Sequence, residues 1–394
     1  MRIAMIGTRG VPARYGGFET AVEEVGRRLV DQGHEVVVYC RGTAPDERTA
    51  EYLGMQLVHL PAPRRRSLET LGHTGLSVAH LVAHRTDVAL VFNAANAPWL
   101  PLLRAARIPV ATHVDGLEWR RGKWGPTGRR YYRRAESAAV RWSDALVADA
   151  QGIADYYTSA FGVETTLLTY GAPVKERRTD HRLSELGLES DGYHLVVARF
   201  EPENHVEEIV AGYTESDARL PLVVVGSAPY ADAYTARVHA AADSRVQLLG
   251  GVWDQELLDD LYANARTYLH GHSVGGTNPS LLRAIGAGTA VSAYDISFNQ
   301  EVLGAAGRYF VDERTVADVI EESEHDVEGT HARAKAGRCE AARYDWDVVA
   351  DGYADLCRDL AARRVPGPRR ARRRETVFDS LSAPATARGI DVTT

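Results

Sequence analysis

RIAMIG (residues 2–7), TRGVPARYGG (8–17), FETAVEEVGRRLVDQG (18–33) and HEVVVYC (34–40) run on without interruption at the start of the chain. Their succession decides the fold. A short apolar run ends in Gly7, and a loop carrying Gly10, Gly16 and Gly17 follows. Phe18, Val22, Val25 and Leu29 then recur at helical spacing, and Gly33 stops the helix before a second apolar run. A β-loop-α-β unit of this kind opens a doubly wound α/β sheet. Working outward, short buried-looking strands are expected at 55–60, 88–92, 109–113 and 145–148. The polar segment KERRTDHRLSELGLESDG (175–192) reads as a linker. After it the pattern restarts, with strands at 194–200, 221–226, 246–249, 268–270 and 290–293. Helices at 206–213, 257–265 and 279–286 alternate with them. The spacing predicts a last amphipathic helix over 341–362. The expected division is therefore 1–172, a linker at 173–192, a second α/β domain at 193–340, the helix 341–362, and a basic, disordered tail at 363–394.

A chain of 394 residues is too long for one ordinary α/β core, which agrees with two domains. The net charge of −7 argues against a nucleic-acid binder. Cys40, Cys339 and Cys357 have no metal-ligand spacing. The N-terminus lacks the features of a signal peptide, and no stretch reaches the ~18–20 apolar residues of a membrane span. A soluble, cytoplasmic protein is expected.

In open α/β sheets ligands bind beyond the carboxyl ends of the strands, and four segments fall at such ends. Thr8–Gly17 places adjacent glycines before a helix, where backbone N–H groups and the helix dipole favour an anion. Thr112–Trp119 gathers His113, Asp115, Glu118 and an indole. Arg199-Phe200-Glu201-Pro202-Glu203-Asn204 offers a guanidinium suited to phosphate, or to a surface salt bridge with Glu201 or Glu203. Gly271–Leu282 is the most informative. Asn278 is a good N-cap and Pro279 a good first helical residue, behind glycines and hydroxyls with no apolar packing role.

Taken together, GTRGVPARYGGFET, VDGLEWRRGKW, ARFEPENH, GHSVGGTNPSLL and FNQEVLG resemble the retaining glycosyltransferases of family 4. More narrowly they look like its rhamnosyltransferase-like branch, which serves bacterial surface-polysaccharide assembly. The resemblance runs from residue 1 to about 360. It implies the GT-B fold, two Rossmann-like domains facing each other across a cleft. It also implies metal-independent transfer with no cofactor, from a nucleoside diphosphate sugar to a glycan or a lipid-linked sugar. Carried over, Arg199 stabilises the leaving diphosphate and His113 touches the transferred sugar. Gly16, Gly17, Asn204, Gly275, Gly276, Thr277, Asn278, Pro279, Ser280 and Arg283 bind the donor. Arg14, Asp115 and Glu118 line the cleft on the acceptor side. The final helix is expected to cross back onto the first domain.

Two departures from the family pattern stand out. Asn204 occupies the family's usual lysine position. Gly275 and Arg283 occupy the two glutamate positions of its E-x7-E motif, and a guanidinium has only donors to offer a ribose hydroxyl. Arg283 therefore either contacts phosphate or marks a weakened, non-catalytic sugar-nucleotide-binding relative. Asp345-Trp346-Asp347 spells DxD but opens a helix, so its acids read as favourable charges at the positive dipole end. Arg363, Arg364, Arg369, Arg370, Arg372, Arg373 and Arg374 read either as a solvated tail or as a peripheral contact with an anionic membrane. An oxidoreductase is disfavoured, because the first loop lacks GxGxxG and the second strand ends in Arg41 rather than an acid.

Overall fold

The apolar runs become two parallel sheets. The structure, a computed structural model, describes residues 1–13, 16–42, 48–63, 69–114, 116–122, 124–174, 182–227, 232–365 and 373–374. The first lobe carries strands β1 (Arg2–Ile6), β2 (Glu35–Arg41), β3 (Glu51–Tyr52), β4 (Met55–Leu60), β5 (Val88–Phe92), β6 (Val110–His113), β7 (Ala145–Ala148) and β8 (Thr166–Leu167). Their order is β3-β4-β2-β1-β5-β6-β7-β8. All neighbours are parallel except the β3–β4 hairpin. Its helices are α1 (Gly17–Asp31), α2 (Glu69–Ala83), α3 (Leu100–Ala105), α4 (Pro126–Trp142) and α5 (Gln151–Phe161).

The second lobe carries β9 (His194–Val197), β10 (Leu222–Val225), β11 (Val246–Gly250), β12 (Thr267–His270), β13 (Ala290–Tyr294) and β14 (Arg308–Phe310). They form a parallel sheet of order β11-β10-β9-β12-β13-β14. Around them lie α6 (Val206–Glu215), α7 (Asp232–Ala241), α8 (Gln255–Asn264), α9 (Pro279–Ala287), α10 (Ser297–Leu303), α11 (Glu313–His325) and α12 (Val327–Ala341). The last helix is α13 (Trp346–Ala361).

Strand β1 shows why these segments read as continuous apolar runs. Successive side chains point to opposite faces, and helices cover both. Ile3 and Met5 join one core with Val22, Val25 and Leu29 of α1 and Tyr353 of α13. Ala4 and Ile6 join another with Val78 of α2, Leu103 of α3, Val140 of α4 and Ile153 of α5. Each large aliphatic side chain so buried contributes about 1.5–3 kcal/mol. Thus α1 and α13 cover one face of the first sheet, and α2 to α5 form a layer on the other.

The C-terminal part differs from the sequence expectation. β14, α11 and α12 were not anticipated. The helix expected over 341–362 is α13, which starts later, at Trp346; Ala341 is the last residue of α12, and the chain breaks between the two. In the break, the Tyr344 carbonyl accepts from Ala172 N at 2.7 Å. The Trp346 ring lies where any side chain at Gly171 would sit. From there α13 runs across the first lobe. Asp345 caps it by accepting from Asp347 N, Asp347 pairs with Arg28 at 2.5 Å, and Asp351 accepts from Gln32 at 2.8 Å.

Within the basic segment expected to be disordered, Arg373 and Arg374 are docked. Arg373 donates to the Tyr156 hydroxyl at 3.1 Å, and Arg374 N donates to Ala160 O at 2.8 Å, both on α5. Arg369, Arg370 and Arg372 and the tail from 375 lie outside the described residues. Among the described residues no helix is long and apolar enough to cross a membrane.

Candidate active site

The corner contributed by the second lobe begins where β9 and β12 end. Asn204 is buried, and its amide bridges two loops: Nδ2 donates to Arg199 O at 2.8 Å and Oδ1 meets His272 Nδ1 at 2.8 Å. Ser273 binds Glu203 O through its backbone N at 2.9 Å and its hydroxyl at 3.1 Å. These ties hold the turn from Gly271 in place ahead of α9. There Asn278 accepts from Ser280 N at 2.9 Å, and Pro279 is the first helical residue.

The first lobe supplies the opposite corner. Gly16, at φ 108°, precedes α1, whose start has no side-chain cap. His113 closes β6 with its ring among Phe18, Phe92 and Tyr170 at centroid distances of 5.0, 5.6 and 6.2 Å. Its Nδ1 is 3.0 Å from the Tyr353 hydroxyl of α13. Its Nε2 lies 3.9 Å from Asp149 Oδ2, with no hydrogen-bond partner among the described residues.

The two corners touch. A methyl group placed on Gly17 would lie 3.4 Å from the Pro279 ring, so the first turns of α1 and α9 abut. Thr277 donates its hydroxyl to Asp149 O at 2.7 Å, and the Asp149 carboxylate stands where a side chain at Gly276 would. Glu301 of α10 accepts from Gln151 N at 2.8 Å, capping α5 from the other lobe. Two helix N-termini, that of α1 with Glu19 in its first turn and that of α9 capped by Asn278, and a neutral imidazole thus converge on one seam. Such a seam suits an anion beside a polar, uncharged group.

Burial lowers the pKa of His113 to about 3 and that of His270 to about 3. It also drives His272 well below the usual value, with Arg121, His270 and Arg199 adding repulsion. All three are neutral in the folded protein at pH 7. Unfolded, each binds a proton below about pH 6.5, whereas the folded state does not. Stability should therefore fall as pH drops from about 6.5 toward 3. Thermal denaturation across that range checks this, and His113→Gln should flatten the slope. A Tm unchanged down to pH 4 would contradict it.

Residues 16–171 match the glycosyl transferase 4-like domain. Residues 179–338 match the glycosyl transferases group 1 domain. The chain is a glycosyltransferase of the GT-B type. No curated protein is significantly similar in sequence. Among solved structures, the fold is similar to sucrose-phosphate synthase from Thermosynechococcus elongatus. That likeness has a TM-score of 0.80 and 19% identity over 92% of this chain and 99% of the other. Anabaena HepE in complex with UDP-glucose is similar at TM-score 0.75 and 17% identity, over 91% and 100% of the two chains. The UDP-forming trehalose-phosphate synthase from Burkholderia xenovorans, in complex with glucose-6-phosphate, is similar at TM-score 0.70 and 12% identity, over 91% and 100%.

In this glycosyltransferase the sequence-derived candidates have different placements. Gly16, Gly17, His113, Gly275, Gly276, Thr277, Asn278 and Pro279 come together at the seam. Ser280, the next residue of α9, has its backbone N bound to Asn278 Oδ1 at 2.9 Å. Arg199 stands at the end of β9, 34% exposed, with Nη1 3.5 Å from Glu201 Oε2. The salt bridge weighed as its alternative partner is therefore present.

Arg283 needs a correction. Its guanidinium binds Asp259 at 2.5 Å and Gln255 Oε1 at 3.0 Å, both on α8, and it stacks over Tyr262. Its donors are spent inside the second lobe instead of on a phosphate. Glu118 is half of an ion pair with Arg121 and also accepts from Trp124 Nε1 at 3.2 Å, so it anchors a side chain more than it faces an acceptor. Arg14 and Asp115 lie outside the described residues.

Sequence reasoning missed Arg121, Asp149, Glu301 and Tyr353. Arg121 reaches across the seam to Glu203 Oε1 at 3.3 Å and Glu201 Oε2 at 3.8 Å. It therefore shares a carboxylate with Arg199. Arg121 and Glu301 stood within the quoted motifs, but no signal in them showed what they would meet.

Proposed function

We propose that the enzyme moves a hexose from a nucleoside diphosphate sugar to a glycan or lipid-linked acceptor, with retention, in the synthesis of a surface polysaccharide. The observation that carries this reading is the meeting of the α1 and α9 starts at Gly17 and Pro279. A diphosphate in that seam receives backbone N–H groups and helix dipoles from both lobes. Arg199 adds a permanent positive charge. UDP-glucose bound to the similarly folded Anabaena protein supports a donor of this class.

The bond between the anomeric carbon and the phosphate oxygen breaks, and the acceptor oxygen bonds to that carbon on the same face. The acceptor proton passes to the departing phosphate. Neutral His113, presenting Nε2 beside Asp149, orients the sugar. Rhamnose is the sugar the sequence resemblance favours. Peripheral contact with an anionic membrane, to which the arginines after residue 362 contribute, brings the enzyme to a lipid-linked acceptor.

Thermal shift against a panel of nucleotide sugars, deoxythymidine diphosphate rhamnose and UDP-glucose among them, tests the donor class. One of them at 100 times its Kd should stabilise the protein by about 2.7 kcal/mol, several degrees in Tm. Acceptor-dependent release of nucleoside diphosphate should accompany it. If no nucleoside diphosphate sugar shifts the Tm, the proposal fails.

A further inference from the structure

The charge of this chain is divided unevenly. Residues 1–172 hold 21 Lys and Arg against 17 Asp and Glu, and residues 363–394 hold 8 against 3, whereas residues 173–362 hold 17 against 33. An acidic protein thus presents one basic lobe. Its excess positive charge is concentrated on the helical layer α2 to α5.

On α4, Arg129, Arg130 and Arg134 are exposed and make no ion pair with any described residue. They stand in its first turns, at the end that follows strand β6 and therefore beside the seam. Acids of the layer are already engaged. Glu69 of α2 pairs with Arg41 at 3.0 Å, and Glu136 of α4 is buried and accepts from the Tyr156 hydroxyl at 3.0 Å.

The same layer exposes aliphatic side chains. Leu76 is 45% and Val82 39% exposed on α2, and Leu102 is 49% exposed on the adjacent α3. The docked end of the tail adds to the charge. Arg373 lies 5.5 Å over the Trp119 ring, which Arg133 of α4 also covers at 4.2 Å.

From these placements we infer that the outer face of α2 to α4 is a docking surface for an anionic lipid bilayer. It rests on the proposed lipid-linked acceptor only for its purpose, since binding to lipid needs neither donor nor acceptor. Uncompensated arginines answer the negative headgroups, and Leu76, Val82 and Leu102 enter the acyl boundary. The second lobe, with its excess of acids, is held away from the same charge. The seam then opens beside the bilayer.

Flotation of the full-length protein with phosphatidylcholine vesicles, with and without phosphatidylglycerol, tests the surface. Binding is expected only to the anionic vesicles, weakening as salt rises. Arg129→Glu with Arg130→Glu and Arg134→Glu should weaken it about fivefold per residue, roughly a hundredfold in all. Leu76→Ser with Leu102→Ser should remove the part that survives high salt. Arg363→Gln with Arg364→Gln, Arg369→Gln and Arg370→Gln should leave most of the binding, and circular dichroism confirms that each variant is folded.

Equal flotation with neutral vesicles overturns the inference, as does unchanged binding by the α4 variant. So does complete loss in the tail variant, which would assign the contact to the tail alone. A lipid-free dimer that the α4 variant dissociates would assign the face to a second copy of the chain.

Discussion

Replacing Arg199 by alanine is expected to lower turnover by at least about 100-fold, the scale of removing one charge-stabilising donor from a transition state. Charge develops on the departing diphosphate in the proposed reaction, and Arg199, two residues beyond β9, is the guanidinium proposed to answer it. A purely structural role would have a different signature. Arg199 also touches Glu201 at 3.5 Å, so its loss could act by stranding that carboxylate. Glu201→Gln separates the two: if neutralising Glu201 matches the Arg199→Ala defect, the arginine serves only the carboxylate. Arg199→Lys should recover part of kcat, because an ammonium keeps the charge but loses the planar fork. Steady-state kinetics on the three variants reads all of this. Unchanged kcat in Arg199→Ala removes the residue from the mechanism.

How far this site could be read from sequence follows the distance between partners. Both sheets were legible because parallel strands covered on two faces become apolar runs, as Ile3 to Ile6 show. Helix α12 was not, since its buried residues are Thr330, Gly337 and Ala341 and leave no apolar stripe to detect. At the site, Gly17, Asn278 and Pro279 were legible because a helix start is written in adjacent residues. Arg121, Asp149, Glu301 and Tyr353 find their partners 82, 128, 150 and 240 residues away. No local pattern carries that. Arg283 was misplaced for the same reason. Its place in the family's E-x7-E motif put it at the donor, on phosphate or in a weakened relative, while Asp259 on α8 holds its guanidinium from 24 residues earlier.

Substituting Gly116 by valine is expected to cost at least about 100-fold in kcat/KM while leaving each lobe folded. A Cβ at Gly116 would fall 2.5 Å from Gly275 O and 2.7 Å from Gly275 Cα. Here the backbones of the two lobes meet, so no flexible side chain can give way. Gly275 itself sits at φ 141°, a conformation that side chains rarely adopt, and cannot move off easily. Relief must come from parting the lobes by an ångström or so. A displacement of that size at a reacting centre costs about 100-fold, because the helix ends and His113 no longer bracket one reaction geometry. Neither lobe's core is touched, so the Tm should fall little. Gly122→Ala is the control, since nothing lies within 4 Å of its Cβ position. Small-angle scattering should show a wider particle for Gly116→Val. Full activity in that variant would mean that chemistry does not require the seam between α1 and α9 to close, and the placement of the diphosphate there would fall with it.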